Sequence, residues 1–176
     1  MSRLHVTTKA HQWLSKIISP QDVCVDATAG NGNDTLYMAG LAKKVYAFDI
    51  QPEAIEKTKI RCADCPNVTL ILDSHERIPD TVSDYQVLVF NLGYLPNTDS
   101  PVITSAQTTL NALDNCLPSL TKKGHLLITY YRRHPGGLEE YERVSAFLKT
   151  RSDLELLDDY TYDEDLAPVF QLFRKR

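Results

Sequence analysis

The chain has 176 residues, a net charge of −4, 43% hydrophobic and 24% charged residues. This is enough for one domain with a real core, too little for two, and ordinary for a globular protein. With no apolar run of about eighteen residues and no signal peptide, a cytoplasmic chain with no membrane span is expected. The acidic balance argues against sequence-independent nucleic-acid binding, although a local basic patch could still hold a folded RNA.

Leu4, Ala10, Trp13, Leu14, Ile17 and Ile18 recur at helical spacing and stop before Pro20, predicting an amphipathic helix within residues 1–19 that covers a sheet. His5 and His11 on it could look into a site or lie exposed. An apolar strand, Val23-Cys24-Val25, ends at Asp26 and is followed by Gly30-Asn31-Gly32-Asn33-Asp34-Thr35 and a helical pattern. Strand, glycine turn and helix make a cradle in which backbone approaches a ligand and helix-opening N–H groups face an anion. The bland alternative is a Gly-Asn turn joining a strand to a helix.

Three ligands compete for such a cradle. A phosphate-binding P-loop needs a Lys after its last glycine, and none is present. A dinucleotide fingerprint needs a third small residue where Thr35 stands, and Asp34 in the first helical turn would repel a pyrophosphate. S-adenosylmethionine fits better. It brings a carboxylate for the turn amides, and an amino group and sulfonium for Asp26 and its neighbours.

Lys44–Phe48 reads as the second strand and ends in Asp49, about twenty residues after the glycines, where an acid receives ribose hydroxyls in doubly wound sheets. Asp49 could equally cap the helix over 52–64, which opens at Pro52. Val68–Leu72 is a third strand, and Asp73, Ser74 and His75 follow on its carboxyl end as adenine contacts or as a cap. Tyr85–Phe90, almost wholly apolar, is a central parallel strand leading into Asn91-Leu92-Gly93-Tyr94-Leu95-Pro96. Asn91 offers an amide oxygen to an amine, the Gly93 turn offers carbonyls, and Tyr94 offers a ring to wall the pocket.

A helix over 104–120, a Lys122-Lys123-Gly124 turn and a fifth strand over 125–131 come next. The basic loop Arg132-Arg133-His134-Pro135-Gly136-Gly137 on the same edge could hold phosphate or act as a lid. A helix over 138–150 and strands near 154–160 and 168–174 finish the chain. Cys62 and Cys65 have metal-like spacing but lack two further ligands, so no metal is expected. Cys24 and Cys116 fall on apolar faces. No repeat or linker interrupts the chain, which reads as one domain over 1–176.

The element order is that of the α/β class I methyltransferases: a seven-stranded, mostly parallel, Rossmann-like sheet with helices on both faces. Asp26 to Thr35, Tyr46 to Gln51, Asp73-Ser-His75, Asn91-Leu-Gly-Tyr-Leu-Pro96 and His134-Pro-Gly-Gly137 together resemble a family of small bacterial methyltransferases known as rRNA methylases. That family includes the enzyme methylating the 5-aminomethyl group of the tRNA wobble uridine, usually 2-thiolated. The likeness runs in order through about four fifths of the chain. It departs at Asn97-Thr98-Asp99, where relatives carry glycines, and at Tyr162–Pro168, where only Pro168 of an Asn-Gln-x-Asn-x-Pro-Pro string survives.

The resemblance implies S-adenosylmethionine as cofactor, S-adenosylhomocysteine as product and the tRNA anticodon loop as partner, with a homodimer allowed. Residues matched to cofactor binding are Asp26, Gly30, Asn31, Gly32, Asn33, Asp34, Thr35, Asp49, Gln51, Asp73, Ser74, His75, Asn91 and Gly93. Asn91, Tyr94 and Asp26 are the expected catalytic set; Asp26, His134 or water would accept the proton. Tyr94, Pro96, Arg132, Arg133 and His134 are expected on the substrate, with Lys9 as a further phosphate candidate. Alternatives are an rRNA or small-molecule amine substrate and, from another class, an NAD-binding oxidoreductase.

Overall fold

The computed structural model describes residues 4–93 and 105–176. Seven strands, β1 (Val23–Asp26), β2 (Lys44–Asp49), β3 (Val68–Leu72), β4 (Tyr85–Leu92), β5 (Leu120–Tyr130), β6 (Leu154–Tyr160) and β7 (Val169–Lys175), form one sheet in the order β3-β2-β1-β4-β5-β7-β6. β1 through β5 pair in parallel, and β7 runs antiparallel between β5 and β6. The carboxyl ends of five strands therefore share one edge, and the strand order reverses between β1 and β4. A ligand crevice opens at such a reversal.

Alternating residues of the central strands feed two cores, as burial on both faces requires. On one face Val25, Leu88, Phe90 and Ile128 meet Ala112 and Leu113 of α5 (Ala106–Cys116) and Val144 and Leu148 of α6 (Gly137–Thr150). On the other, Cys24, Val87, Val89 and Leu127 meet Val6, Ala10 and Leu14 of α1 (Val6–Ile17) and Met38 of α2 (Asn33–Ala39). The buried residues of α1 are four apart, a single stripe, so the predicted covering helix is present with its charged face outward. His5 caps it, its ring accepting from the Thr7 N–H.

α3 (Pro52–Arg61) opens on its proline. A 3-10 turn at His75–Arg77 and the short α4 (Ile78–Thr81) occupy the segment the sequence leaves without an element. The predicted Lys122-Lys123-Gly124 turn is corrected: β5 runs through it from Leu120, with Lys123 at φ 66° forming an irregularity opposite Tyr85–Val87. Among the described residues no helix is long and apolar enough to cross a membrane, and no group of three or more His, Cys, Asp or Glu is placed to hold a metal.

Candidate functional site

The glycine turn is shaped by its backbone. Gly30 and Gly32 take φ of 55° and 78°, and a Cβ on Gly32 would lie 2.9 Å from the Thr58 Cα of α3. Gly32 therefore serves close packing of the turn on α3 and does not reach the cavity. The Asn31 carbonyl accepts from the Arg61 side chain at 2.6 Å. The Gly30 N–H donates to Asp49 at 3.0 Å and the Gly32 N–H to the Ala29 carbonyl at 2.8 Å. Both amides, expected to face a ligand carboxylate, are engaged within the protein here.

Asp49 also accepts from the Gln51 N–H at 2.9 Å. One carboxylate at the end of β2 thereby ties its own turn to the glycine turn. Beside it the Gln51 side-chain oxygen is buried with no hydrogen-bond partner. A buried acceptor without a donor costs about 1–3 kcal/mol, so this oxygen is a standing site for a ligand donor.

A cavity of about 630 Å³ opens along the carboxyl edge. Gly30, Asn31, Asn33 and Asp34 line it from the first turn, Asp49 and Gln51 from the second, and Asp73, Ser74 and His75 from the third. Asn91 and Gly93 close it from β4. Burial lowers the pKa of His75 against the opposing pull of Glu76 and Asp49. Its ring is hydrogen-bonded to the Ala27 backbone and tilted against Phe90.

Asn91 is fixed at both ends. Its N–H donates to the Thr28 hydroxyl at 2.6 Å, and its side-chain Nδ2 donates to Asp34 Oδ2 at 2.5 Å. The other oxygen of Asp34 meets His11 Nε2 at 2.6 Å.

Asp26 and Thr35 stand behind the wall. Asp26 is 1% exposed and accepts from the Thr35 hydroxyl at 2.6 Å and the Thr28 N–H at 3.2 Å. Burial raises its pKa to about 7, with Asp34 adding to the rise and the two hydrogen bonds opposing it. In this structure Asp26 supports the turn from beneath and is not among the residues lining the cavity.

The basic loop also lies off the wall. Arg132 donates to the Ala167 carbonyl at 2.7 Å, and Arg133 pairs with Glu164. His134 is buried, with Nδ1 bonded to the Pro135 carbonyl at 3.0 Å. Lys9 pairs with Asp158 at 2.8 Å. Tyr94 and Pro96 lie outside the described residues.

Thr7, Ile50, Glu76, Ser105, Thr108 and Tyr131 line the cavity without having been singled out in the sequence. Ile50, next to Asp49, and Tyr131, ending the fifth strand, carried a positional signal; Thr7, from a helix remote in sequence, did not.

The wall carries Asp34, Asp49, Asp73 and Glu76, and no Lys or Arg among its described residues. Such a wall repels a pyrophosphate and suits a cationic nucleoside, and the Gln51 oxygen supplies an acceptor for a nucleoside donor. Sheet order and crevice together define a class I S-adenosylmethionine-dependent methyltransferase.

Within that class the chain belongs to the rRNA methylase family: the family described as "Putative rRNA methylase" matches residues 45–159. The chloroplastic tRNA (mnm(5)s(2)U34)-methyltransferase of Arabidopsis thaliana is 36% identical over 193 aligned residues, spanning 99% of this chain and 70% of the relative. Among solved structures, a protein from Clostridium thermocellum described as a "putative rRNA-methylase" superposes with a TM-score of 0.92 at 30% identity over 100% of both chains. A Streptococcus mutans protein described as a "putative methyltransferase", solved in complex with S-adenosylhomocysteine, gives 0.89 at 34% identity, also over 100% of both.

Proposed function

We propose that this protein methylates the primary amine of a 5-aminomethyluridine, usually 2-thiolated, at the wobble position of tRNA. The observation carrying this reading is the Asp34–Asn91 pair on the cavity wall. An ionised carboxylate accepts only, so it claims the Asn91 amide nitrogen and turns the amide oxygen to other donors. An amine bearing hydrogens is such a donor. The name of the Arabidopsis relative, aligned over 99% of this chain, supports the tRNA substrate.

When bound, the cofactor supplies an electrophilic methyl group on a sulfonium. The chain's own residues do the rest. Asp49 and Gln51 are assigned to the nucleoside, with Asp73, Ser74 and His75 beside its base. An alkylamine is mostly protonated at neutral pH, as a lysine is. Asp34 draws in that cation, and Asn91 Oδ1 holds one N–H of the neutral form so that the lone pair is aimed. Orientation of this kind is worth up to roughly 7–11 kcal/mol. Asp26 sits too deep to take the proton, which leaves by water.

Tyr94 and Pro96, continuing from Gly93, are assigned to packing the flipped base, as single-stranded RNA readers require. Arg132 and Arg133 are assigned to the anticodon phosphates, with His134 shaping their loop. The whole chain acts as one catalytic domain, in the cytoplasm where tRNA resides.

The test is nucleoside mass spectrometry of tRNA from a deletion strain. The 5-methylaminomethyl form is lost and its 5-aminomethyl precursor accumulates; purified protein with S-adenosylmethionine restores it and Asn91→Ala does not. An unchanged 5-methylaminomethyl level refutes the assignment.

A further inference from the structure

Asp34 spends each oxygen on a different element. Oδ2 takes the Asn91 amide at 2.5 Å, and Oδ1 meets His11 Nε2 at 2.6 Å. His11 belongs to α1 and is not on the cavity wall. Its ring lies flat on Tyr37 of α2, with centroids 3.9 Å apart and planes 14° from parallel. Ala10 and Leu14, on either side of it in the helix, are buried in the sheet core. Thr7, one turn earlier on the same helix, lines the cavity and bonds Tyr131. The amino-terminal helix thus reaches the acceptor side twice.

As an ion pair near the surface, His11 and Asp34 would add little to stability, typically about 0–1 kcal/mol. As a geometric restraint the pair matters more. A carboxylate held at one oxygen resists rotation about its Cβ–Cγ bond, so the other oxygen stays where Asn91 needs it. An asparagine amide is otherwise two-faced, able to present either nitrogen or oxygen. Only the oxygen serves an amine whose lone pair must point at the methyl carbon.

We infer that His11 is a positioning residue for methyl transfer: through Asp34 it locks the Asn91 amide with its oxygen toward the incoming amine. This rests on the amine-methylation reading above. In the transfer the amine nitrogen bonds the methyl carbon as the carbon–sulfur bond breaks, sulfur keeps that electron pair, and the new ammonium releases one proton to water. His11 gains and loses nothing.

The test compares His11→Phe, which keeps a ring on Tyr37 without a donor, with His11→Gln, which keeps an N–H for Asp34. Each full-length protein is assayed with S-adenosylmethionine and tRNA carrying 5-aminomethyluridine, below its melting temperature. His11→Phe should lose about 10- to 100-fold in kcat, the scale of a small misplacement. Its KM for tRNA and its Kd for S-adenosylhomocysteine should stay within about threefold, and His11→Gln should recover most of the loss.

Wild-type kcat in His11→Phe, an equal loss in His11→Gln, or a matching loss of S-adenosylhomocysteine affinity overturns the inference and leaves the substrate assignment standing. If His11→Phe does not fold, His11→Ala carries the same comparison. No methylation of this tRNA by the wild-type protein overturns the substrate assignment and the inference with it.

Discussion

Replacing Asp26 with Asn tests the physical account of the glycine turn. Asp26 is 1% exposed, and burial moves its pKa from an ordinary 3.8 to about 7. That distance, at about 1.4 kcal/mol per pH unit, is about 4 kcal/mol. The folded form keeps a proton that the unfolded chain has already released. The penalty is therefore absent below the unfolded pKa, grows as pH rises toward 7, and is constant above. Integrated between pH 5 and pH 8, it amounts to about 2.5 kcal/mol. An asparagine keeps an acceptor for the Thr28 N–H and donates its amide N–H to the Thr35 hydroxyl, which donates to Asp26 in the wild type, at a cost of about 1 kcal/mol in hydrogen bonding. Urea unfolding of ligand-free protein at both pH values gives the measurement. The stability of Asp26→Asn relative to wild type should improve by about 2.5 kcal/mol between pH 5 and pH 8. A difference between the two proteins that does not change with pH refutes the buried-acid explanation.

Three further perturbations probe other parts of the site. Gly32→Ala puts a Cβ 2.9 Å from the Thr58 backbone at a φ of 78°, and the left-handed conformation alone costs about 1–2 kcal/mol; a melting temperature equal to wild type contradicts this. Asp49→Ala frees the Gly30 and Gln51 N–H groups and removes the proposed nucleoside acceptor, so calorimetric titration should show S-adenosylhomocysteine affinity down by about tenfold or more, from bonds worth about 1.5–3 kcal/mol each. Full affinity in this variant rules out the ribose assignment. Arg133→Ala should weaken tRNA binding and lower the salt slope by about one, while stability changes by less than about 1 kcal/mol because its Glu164 pair is exposed. An unaltered slope excludes a phosphate contact.

Much of this architecture is written in local pattern. β3 spans the predicted Val68–Leu72, and the apolar runs around Val25 and Leu88 become central strands because both faces of the sheet are covered. Local pattern failed at Lys122-Lys123-Gly124, whose composition says turn. The strand runs through it as an irregularity between the Tyr85–Leu120 and Val87–His125 pairs, where a Cβ on Gly124 would lie 2.8 Å from the Thr121 carbonyl and 3.0 Å from the Gln86 carbonyl of β4. The acids and amides of the cradle were readable from their position at strand ends. What they bond was not. Asp34 finds His11 and Asn91 at sequence separations of 23 and 57, the first pairing arising only once α1 docks on the sheet and the second only once β4 pairs with β1. The Glu164 partner of Arg133, 31 residues away, was likewise not readable from the sequence.

The acid-lined crevice has a further consequence for turnover. Each reaction converts a positively charged sulfur into a neutral thioether while Asp34, Asp49, Asp73 and Glu76 remain in place. A sulfonium and a carboxylate 4 Å apart attract by about 1 kcal/mol in water and about 4 kcal/mol in less polar surroundings, and any such attraction in this crevice would be lost on methyl transfer. On these charges alone the spent molecule would be held less firmly than the fresh one, so the acids proposed to recruit the donor would also favour its exchange.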